Sequence, residues 1–415
     1  MLSFREVIPP AGPIRTLCVS HVSKTAANGV LMSVLVLYFT RTVHIPADRV
    51  GLALTIGSAI GLLAAVPAGR LADAASARDI TVALMCLLGV FACGYPLVKG
   101  FWGLLAVTAL VAAGESAAEA SVGALIARLL PPDERVSASS YMRAAANVSV
   151  VIGAAAAAVA LYLDRHAVYV GLLFGAAAMF AASGLAYVRV PNVAPIAHET
   201  DAPPWPALRD APFAVTACLN TVLIQHVGIL TVALPIWISQ RTNAPAWLYA
   251  VIVIVNAVSV VLLQVRVSRG SDDVPGGARA FRRAGVFLAA CCALFALASG
   301  RSTWLTVSLL LAGAILHVLG EMLQSSGEWA LGFGLAPEHA QGEYQGLIAM
   351  SAQFGIMITP ALATLLFTQM GSAGWLVFAG LFLAAGAASP AVGRWGLATR
   401  GPAPLASTPV GSEVA

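Results

Sequence analysis

Long apolar segments alternate with short polar loops along almost the whole chain. A helix needs about 20 mostly apolar residues to cross the roughly 30 Å hydrocarbon core of a bilayer. Twelve segments have this character, at about 15–39, 50–68, 80–98, 101–127, 138–162, 167–188, 212–239, 247–267, 284–300, 303–331, 344–369 and 373–393. They lack the alternating pattern of a membrane barrel. The pattern therefore predicts an all-α polytopic membrane protein with twelve transmembrane helices.

Composition agrees with this prediction. Of the 415 residues, 59% are hydrophobic and only 10% are charged, which is too few charges for an ordinary water-exposed surface. The first fourteen residues carry Arg5, Glu6 and three prolines but no short apolar core. We therefore expect no cleavable signal peptide, and we expect the spans themselves to direct insertion.

Basic residues are unevenly distributed between the two sides that these helices connect. An even number of spans places both termini on one side, and sixteen of the 23 Lys and Arg residues fall there. Six fall on the other side, and Lys24 lies inside the first span. Because loops rich in Lys and Arg remain cytoplasmic, we expect a multi-pass protein of the cell membrane with both termini in the cytoplasm. This bias accounts for the net charge of +4, so no nucleic-acid partner is expected.

The six cysteines all lie within or beside apolar segments and show no Cys-x-x-Cys spacing. This arrangement argues against both disulfides and zinc. We predict no metal site and no cofactor.

The chain divides into two halves with weak internal similarity. Residues 189–211 contain five prolines and form the longest polar interruption, which predicts a cytoplasmic linker between halves 1–188 and 212–393, followed by a tail at 394–415. Shifting the second half by about 200 residues places Glu321 on Glu119. Chance matches in an alanine-rich chain are the alternative. Two repeats of the same orientation are typical of transporters with a site between the repeats.

The loop after the second span, from Gly69 to Arg78, carries the most informative motif. It resembles the loop between helices two and three of the major facilitator superfamily, where G-x-L-a-D-r-x-G-R-[RK] is common. Gly69, Leu71, Asp73 and Arg78 match that pattern, whereas positions 74, 76 and 77 depart from it. The resemblance implies the fold of that superfamily, two six-helix repeats, and implies that spans one, four, seven and ten line a cavity.

This loop is expected to close the cytoplasmic side of the molecule. Asp73 can face the positive N-terminal end of span eleven near residues 342–344. The stretch 131–135 is similar to the p-x-x-E-R-g stretch that follows helix four in the same superfamily. A cytoplasmic gate is therefore predicted from Gly69, Asp73, Arg78 and Arg135. The alternative is a solvated turn held by local Asp and Arg pairs.

Other motifs favour export. Drug:proton antiporters of the superfamily carry G-x-x-x-G-P-x-x-G-G in helix five, and residues 153–158 keep the small side chains of that stretch without its proline and other glycines. The patterns of proton-coupled peptide transporters and sugar porters are missing. The overall sequence pattern resembles that of actinobacterial multidrug-efflux-like members of the superfamily.

Polar side chains inside the spans mark the expected substrate and proton cavity, because charge in hydrocarbon is costly and usually functional. The candidates are Lys24, Asn28, Glu115, Glu119, Arg143, Asn147, Gln225, His226, Asn256, His317 and Glu321. Gln324 and Glu328 are further polar residues of span ten. Structural alternatives exist for most of them. Glu119 and Arg143 can form a static ion pair. The two histidines can be neutral and hydrogen-bonded, and the asparagines can hold helices together.

Lys24 gives the sharpest hypothesis, since the chain contains only two lysines. It lies about 13 Å into the first span by helical rise, at a depth similar to Glu119 on span four. An ammonium loses its proton more readily than a guanidinium, so a Lys24–Glu119 pair can act as a switch, whereas a static pair would accept Arg.

We therefore predict a monomeric secondary transporter that works by alternating access and exports an amphipathic organic compound in exchange for protons. Proton-coupled uptake of a small metabolite is the second hypothesis, and a membrane sensor without transport is the third. An enzyme is not expected, because no convergent nucleophile, metal set or catalytic dyad is evident in the sequence.

Overall fold

The structure is a computed structural model that describes residues 8–193, 205–245 and 247–400. Within these residues the secondary structure is entirely helical, and twelve helices are long and apolar enough to cross a membrane. The prediction of twelve membrane helices is thus confirmed. They are α1 Pro13–Thr42, α2 Ala47–Ala74, α3 Ala77–Leu97, α4 Phe101–Leu129, α5 Pro132–Leu163, α6 His166–Tyr187, α7 Ala211–Arg241, α8 Trp247–Val267, α9 Val274–Leu297, α10 Thr303–Gly334, α11 Glu338–Met370 and α12 Ala373–Ala398.

The bounds of α9 differ most from the sequence prediction. This helix begins at Val274, ten residues before the expected start at 284. The Asp273 side chain accepts a hydrogen bond from the backbone N–H of Gly276 at 2.6 Å, which caps the helix. The arginines of the added turns are all exposed, so hydropathy alone did not include them: they are Arg279, Arg282 and Arg283.

One membrane helix in each half contains a π-helical segment. One segment is Tyr38–Thr42 in α1 and the other is Ile229–Ala233 in α7. The α-helical hydrogen bonding of α7 is also interrupted earlier, between Leu223 and His226. Such interruptions are common at functional sites, because they redirect side chains and free backbone groups. Here the interruption ends at His226, which lies midway along α7.

Each set of six helices has its own apolar core. The first half packs buried aromatic rings of α1, α3 and α6, including Tyr38, Phe39 and Phe180. The second half packs Trp237 against Trp375 with ring centroids 5.7 Å apart, and the Trp237 indole N–H donates to the carbonyl of Phe295 at 3.0 Å. A buried indole with a satisfied N–H fixes helix positions as well as filling space.

The halves meet most closely on the side where α1 begins and α12 ends, which we call the terminal side. There α11 packs against α2 and α4, while α5 packs against α8 and α10. Gly346 of α11 lies so close to α2 that an added Cβ would meet the carbonyl oxygen of Ala65 at 2.6 Å. The halves thus touch backbone to backbone on this side.

The linker and tail are described only in part. Residues 194–204 and 401–415 lie outside the described residues, and the boundaries 1–188, 189–211, 212–393 and 394–415 stay predictions. The described end of the linker forms a short helix, Pro206–Arg209, whose Ala207 N–H donates to the Glu343 carboxylate at 3.0 Å. The linker is therefore attached to the first turn of α11.

Candidate functional site

A cavity of about 390 Å³ lies between the two halves. Its wall is formed by α1, α4 and α5 from the first half and by α7, α10 and α11 from the second. The wall has three carboxylates and two basic groups, which are Glu115, Glu119, Glu328, Lys24 and Arg143. Their presence inside the membrane fits a binding cavity better than a packed core.

Lys24 and Glu119 form an ion pair in this wall. The Lys24 side chain is 9% exposed, whereas the Glu119 side chain is 49% exposed. Lys24 therefore lies behind Glu119, and the carboxylate faces the cavity. Glu115, one turn away on α4, also lines the cavity, and its Oε1 has no hydrogen-bond partner among the described residues.

Arg143 joins the two halves rather than binding Glu119. Its Nη2 donates to Glu321 Oε1 at 2.8 Å, so α5 is tied to α10. The alternative of a static Glu119–Arg143 pair is therefore wrong, because Lys24 occupies the Glu119 carboxylate and Arg143 is drawn to the carboxylate of the other half. Glu321 Oε2 accepts a second hydrogen bond from Asn256 Nδ2 at 2.7 Å. Asn256 thus holds two helices together.

A buried polar cluster lies behind Arg143, on α7 and α10. His317 Nε2 is 3.0 Å from the carbonyl oxygen of His226, and His226 Nε2 is 3.4 Å from Gln324 Oε1. Gln324 Nε2 donates both to Asn220 Oδ1 at 2.8 Å and to Glu328 Oε2 at 2.9 Å. The cluster therefore extends from the interior of the second half to the cavity wall.

The predicted cavity residues fall into two groups. Those that line the cavity are Lys24, Asn28, Glu115, Glu119 and Arg143. Those outside its described lining are Asn147, Gln225, His226, Asn256, His317 and Glu321. Asn147 donates to the Arg143 carbonyl one turn before it on α5, at 3.0 Å, rather than to another helix. Gln225 Oε1 is buried without a hydrogen-bond partner among the described residues.

Sequence reasoning named Gln324 and Glu328 among the polar residues of span ten, but it missed two other side chains of this region. His21 lines the cavity, and Asn220 belongs to the buried cluster. His21 had a usable signal, because it precedes Lys24 by three residues and therefore shares a helix face with it.

The seam between the halves on the terminal side is centred on Asp73. Its two carboxylate oxygens accept hydrogen bonds from the backbone N–H groups of Gly342 and Glu343, both at 2.8 Å. These N–H groups belong to the first turns of α11, where a carboxylate is stabilised by the helix dipole. Arg128 of α4 lies beside Asp73, donates to its carbonyl at 2.7 Å and has its guanidinium 3.5 Å from the carboxylate.

Two further predicted gate residues lie at this seam and one does not. An alanine at Gly69 would place its Cβ inside contact distance of the Gly342 carbonyl. Arg135 donates to both oxygens of Glu338, at 3.1 and 3.2 Å. Arg78 instead pairs with its neighbour Asp79 at 2.7 Å and donates to the carbonyl of Val190 just after α6, so these contacts do not reach the second half.

These features together define a class of protein. Twelve membrane helices in two halves, a charged cavity between the halves and a closed seam on one side are the architecture of a membrane transporter with a central site. The family described as Major Facilitator Superfamily matches residues 17–360, and the chain belongs to this superfamily.

Solved structures of similar fold include transporters. The human organic anion transporter MFSD10 (TETRAN) is 16% identical, with a TM-score of 0.68 over 91% of this chain and 98% of that one. A bacterial homologue of the iron transporter ferroportin, in an outward-facing state, is 17% identical, with a TM-score of 0.73 over 93% of this chain and 100% of that one. A mutant of the nucleoside transporter NupG is 14% identical, with a TM-score of 0.58 over 92% of this chain and 100% of that one.

At these identities the structures show the fold alone. A search of curated proteins found no significant match. The superfamily and its structural neighbours indicate a transporter of a small molecule rather than an enzyme.

Proposed function

We propose that this protein is a secondary active transporter of the cell membrane, with both termini cytoplasmic, that exports an amphipathic organic compound in exchange for protons. The observation that carries the proposal is the Lys24–Glu119 pair, in which a buried ammonium lies behind a carboxylate that faces the cavity. A carboxylate in that position is accessible to a proton or to a cationic substrate from the cavity. Competition between the two couples export to proton entry.

Lys24 supplies the switching property of the pair. When Glu119 is ionised, Lys24 is held in its charged form by the adjacent carboxylate, and both charges are neutralised inside the membrane. When Glu119 is protonated, that attraction is lost and the buried ammonium becomes costly, so it can release its proton or change position. A guanidinium remains charged in both situations. The lysine thus links protonation of the cavity to rearrangement of α1 against α4.

The other wall residues favour an amphipathic cation as substrate. The cavity has three carboxylates and two basic groups. It also has apolar and aromatic surface from side chains that include Met142, Trp329 and Phe333. An apolar wall with a few charged groups is typical of sites for organic molecules.

Alternating access follows from the seam on the terminal side. Asp73, Gly69 and Arg135 hold the halves together there, and in the proposed orientation this is the cytoplasmic side. The described conformation then corresponds to the state closed to the cytoplasm. Opening requires Asp73 to leave the N-terminus of α11 and Arg135 to leave Glu338.

Proton-coupled uptake of a small metabolite is the second candidate function. The same Glu119 carboxylate would serve a symporter, and one solved structure of similar fold is a nucleoside transporter. Direction of coupling separates the two candidates. In proteoliposomes with protein of known orientation, antiport predicts accumulation of ethidium on the side that is more acidic. Symport predicts accumulation of uridine on the side that is more alkaline.

Two substitutions test the switch in the same assay. Glu119→Gln and Lys24→Arg are expected to lower gradient-driven ethidium transport by about tenfold or more, because each removes a group whose protonation changes. Ethidium exchange without a gradient is expected to persist. Lys99→Arg, at the only other lysine, and Glu134→Gln are matched controls, because both residues are exposed and outside the cavity. Full gradient-driven transport by Lys24→Arg would show that the pair is only structural.

A further inference from the structure

The buried cluster behind Arg143 contains three side chains whose chemistry is that of a metal site. His226 of α7 and His317 and Glu321 of α10 are 1%, 1% and 6% exposed. Their potential ligand atoms all lie within 4.8 Å of one another. The sequence pattern indicated three separate cavity residues. The packing of α7 against α10 brings them together.

The hydrogen bonds of His317 determine which of its ring nitrogens carries the proton. Its Nε2 is 3.0 Å from the carbonyl oxygen of His226. A carbonyl oxygen only accepts hydrogen bonds, so Nε2 bears the hydrogen and Nδ1 has a free lone pair. Nδ1 is buried, has no hydrogen-bond partner among the described residues and lies 3.8 Å from Glu321 Oε2.

The same reasoning applies to His226 through a longer chain of contacts. The Glu328 carboxylate and Asn220 Oδ1 both accept from Gln324, which identifies the atom facing them as the amide nitrogen. Gln324 therefore presents its oxygen, a pure acceptor, to His226 Nε2 at 3.4 Å. His226 Nε2 bears the hydrogen, and its buried Nδ1 is left without a hydrogen-bond partner among the described residues.

Two buried imidazole lone pairs beside a carboxylate are costly unless a ligand satisfies them. A proton can satisfy only one lone pair. We propose that His226, His317 and Glu321 bind a divalent first-row transition-metal ion, such as Fe²⁺, Co²⁺, Ni²⁺ or Zn²⁺. Two nitrogen ligands and one oxygen ligand suit these ions, whereas Mg²⁺ and Ca²⁺ prefer oxygen ligands alone.

Hydrogen bonds around the three side chains are of the kind that orients metal ligands. Each ligand is oriented by an outer hydrogen bond: His317 by the His226 carbonyl, His226 by Gln324 and Glu321 by Asn256. Such outer contacts fix the ring tautomer and the direction of a metal-binding lone pair. Ligand atoms bound at about 2.0–2.2 Å from one ion are at most about 4.4 Å apart, so binding needs a small contraction of the present arrangement. Three protein ligands leave a coordination position open for water or another ligand, as in catalytic zinc sites.

Arg143 opposes the ion. Its guanidinium lies 2.8 Å from Glu321 Oε1, so a cation at Oε2 experiences repulsion across the same carboxylate. Because Arg143 belongs to the first half and the three ligands belong to the second, metal binding and the contact between α5 and α10 compete. Occupancy of the site would therefore weaken one link between the halves.

The test uses the purified full-length protein in detergent, with any affinity tag removed, and Co²⁺ as the probe. We expect one Co²⁺ per chain by equilibrium dialysis and visible absorption bands characteristic of nitrogen ligands. His226→Gln and His317→Gln are each expected to weaken binding about 10–100-fold or more. His21→Gln is the matched control, since His21 is another buried histidine with an unpartnered Nδ1 but lies outside the three-residue group.

A fourth variant guards against loss of fold. Arg143→Gln removes the opposing cation, and we expect Co²⁺ to bind about tenfold more tightly, a gain that misfolding does not produce. The proposal is overturned if wild-type protein binds no Co²⁺, if both histidine variants bind as wild type does, or if His21→Gln loses binding equally. Equal or weaker affinity in Arg143→Gln overturns the competition. Binding is measured without transport, so the outcome is independent of the proposed export function.

Discussion

Gly69 shows how one missing side chain allows the two halves to meet. An added Cβ would overlap the carbonyl of Gly342, and the same close approach exists in reverse, since Gly342 lies against the backbone carbonyl of Gly69. Neither backbone can move away without separating α2 from α11. The glycine is therefore required by the contact between halves rather than by its own backbone conformation.

We expect Gly69→Ala to destabilise the closed seam by about 1–3 kcal/mol, as overpacking against backbone does. The effect is measured by thermal unfolding in detergent and by ethidium transport in proteoliposomes. Both the midpoint temperature of unfolding and the rate of ethidium transport should fall. Gly51→Ala on the same helix is the control, because its Cβ would meet nothing within 4 Å. That variant should be neutral or slightly more stable. Equal behaviour of the two variants would contradict the overlap argument.

Asp73 acts on a whole helix, because it binds the first backbone N–H groups of α11. The sequence predicted this contact from the motif and from the preference of helix N-termini for negative charge. The buried Arg128 beside Asp73 was not anticipated. Arg128 is a second reason why residue 73 must be negatively charged, since a buried guanidinium without a partner is costly.

Asp73→Asn is expected to weaken the terminal-side closure by about 1–2 kcal/mol, because the amide is neutral and supplies only one accepting oxygen to the two N–H groups. Transport should slow by about fivefold or more. The transport rate is measured in proteoliposomes, with variant protein that expresses at the wild-type level. Asp79→Asn is the matched control, since Asp79 is exposed and pairs only locally with Arg78.

A double variant separates the two roles of Asp73. If Asp73 only neutralises Arg128, then Asp73→Asn with Arg128→Gln should restore the rate. If the carboxylate also holds α11, the double variant stays slow. An unchanged rate in Asp73→Asn alone would remove Asp73 from the closing mechanism.

Orientation is a property of the whole chain, and the distribution of basic residues predicts it. In a variant without native cysteines, Arg209→Cys in the linker should react with a membrane-impermeant maleimide only from the cytoplasm. Ser302→Cys, before α10, should react only from outside. Both positions are exposed in the structure. The reversed labelling pattern would invert the orientation, and the terminal-side seam would then close the outer side instead of the cytoplasmic side.

Local sequence determined the architecture because the bilayer fixes the length of each element. A helix must be apolar for about 20 residues to cross, so each of the twelve spans was readable within its own segment. The same reasoning gave the depth of Lys24 and Glu119, and their pairing followed because few other charges share that depth. The start of α9 was missed because three exposed arginines lower the hydropathy of its first turns.

Tertiary structure alone decided which partner Arg143 has across the halves. Arg143 and Glu321 are separated by 178 positions, and sequence offered Glu119 as an equally charged partner. The assembly of His226, His317 and Glu321 likewise depends on how α7 and α10 are rotated about their axes. A helix that is apolar on nearly every face carries little information about that rotation. Packing of small residues between helices sets it, and this is a property of the folded molecule.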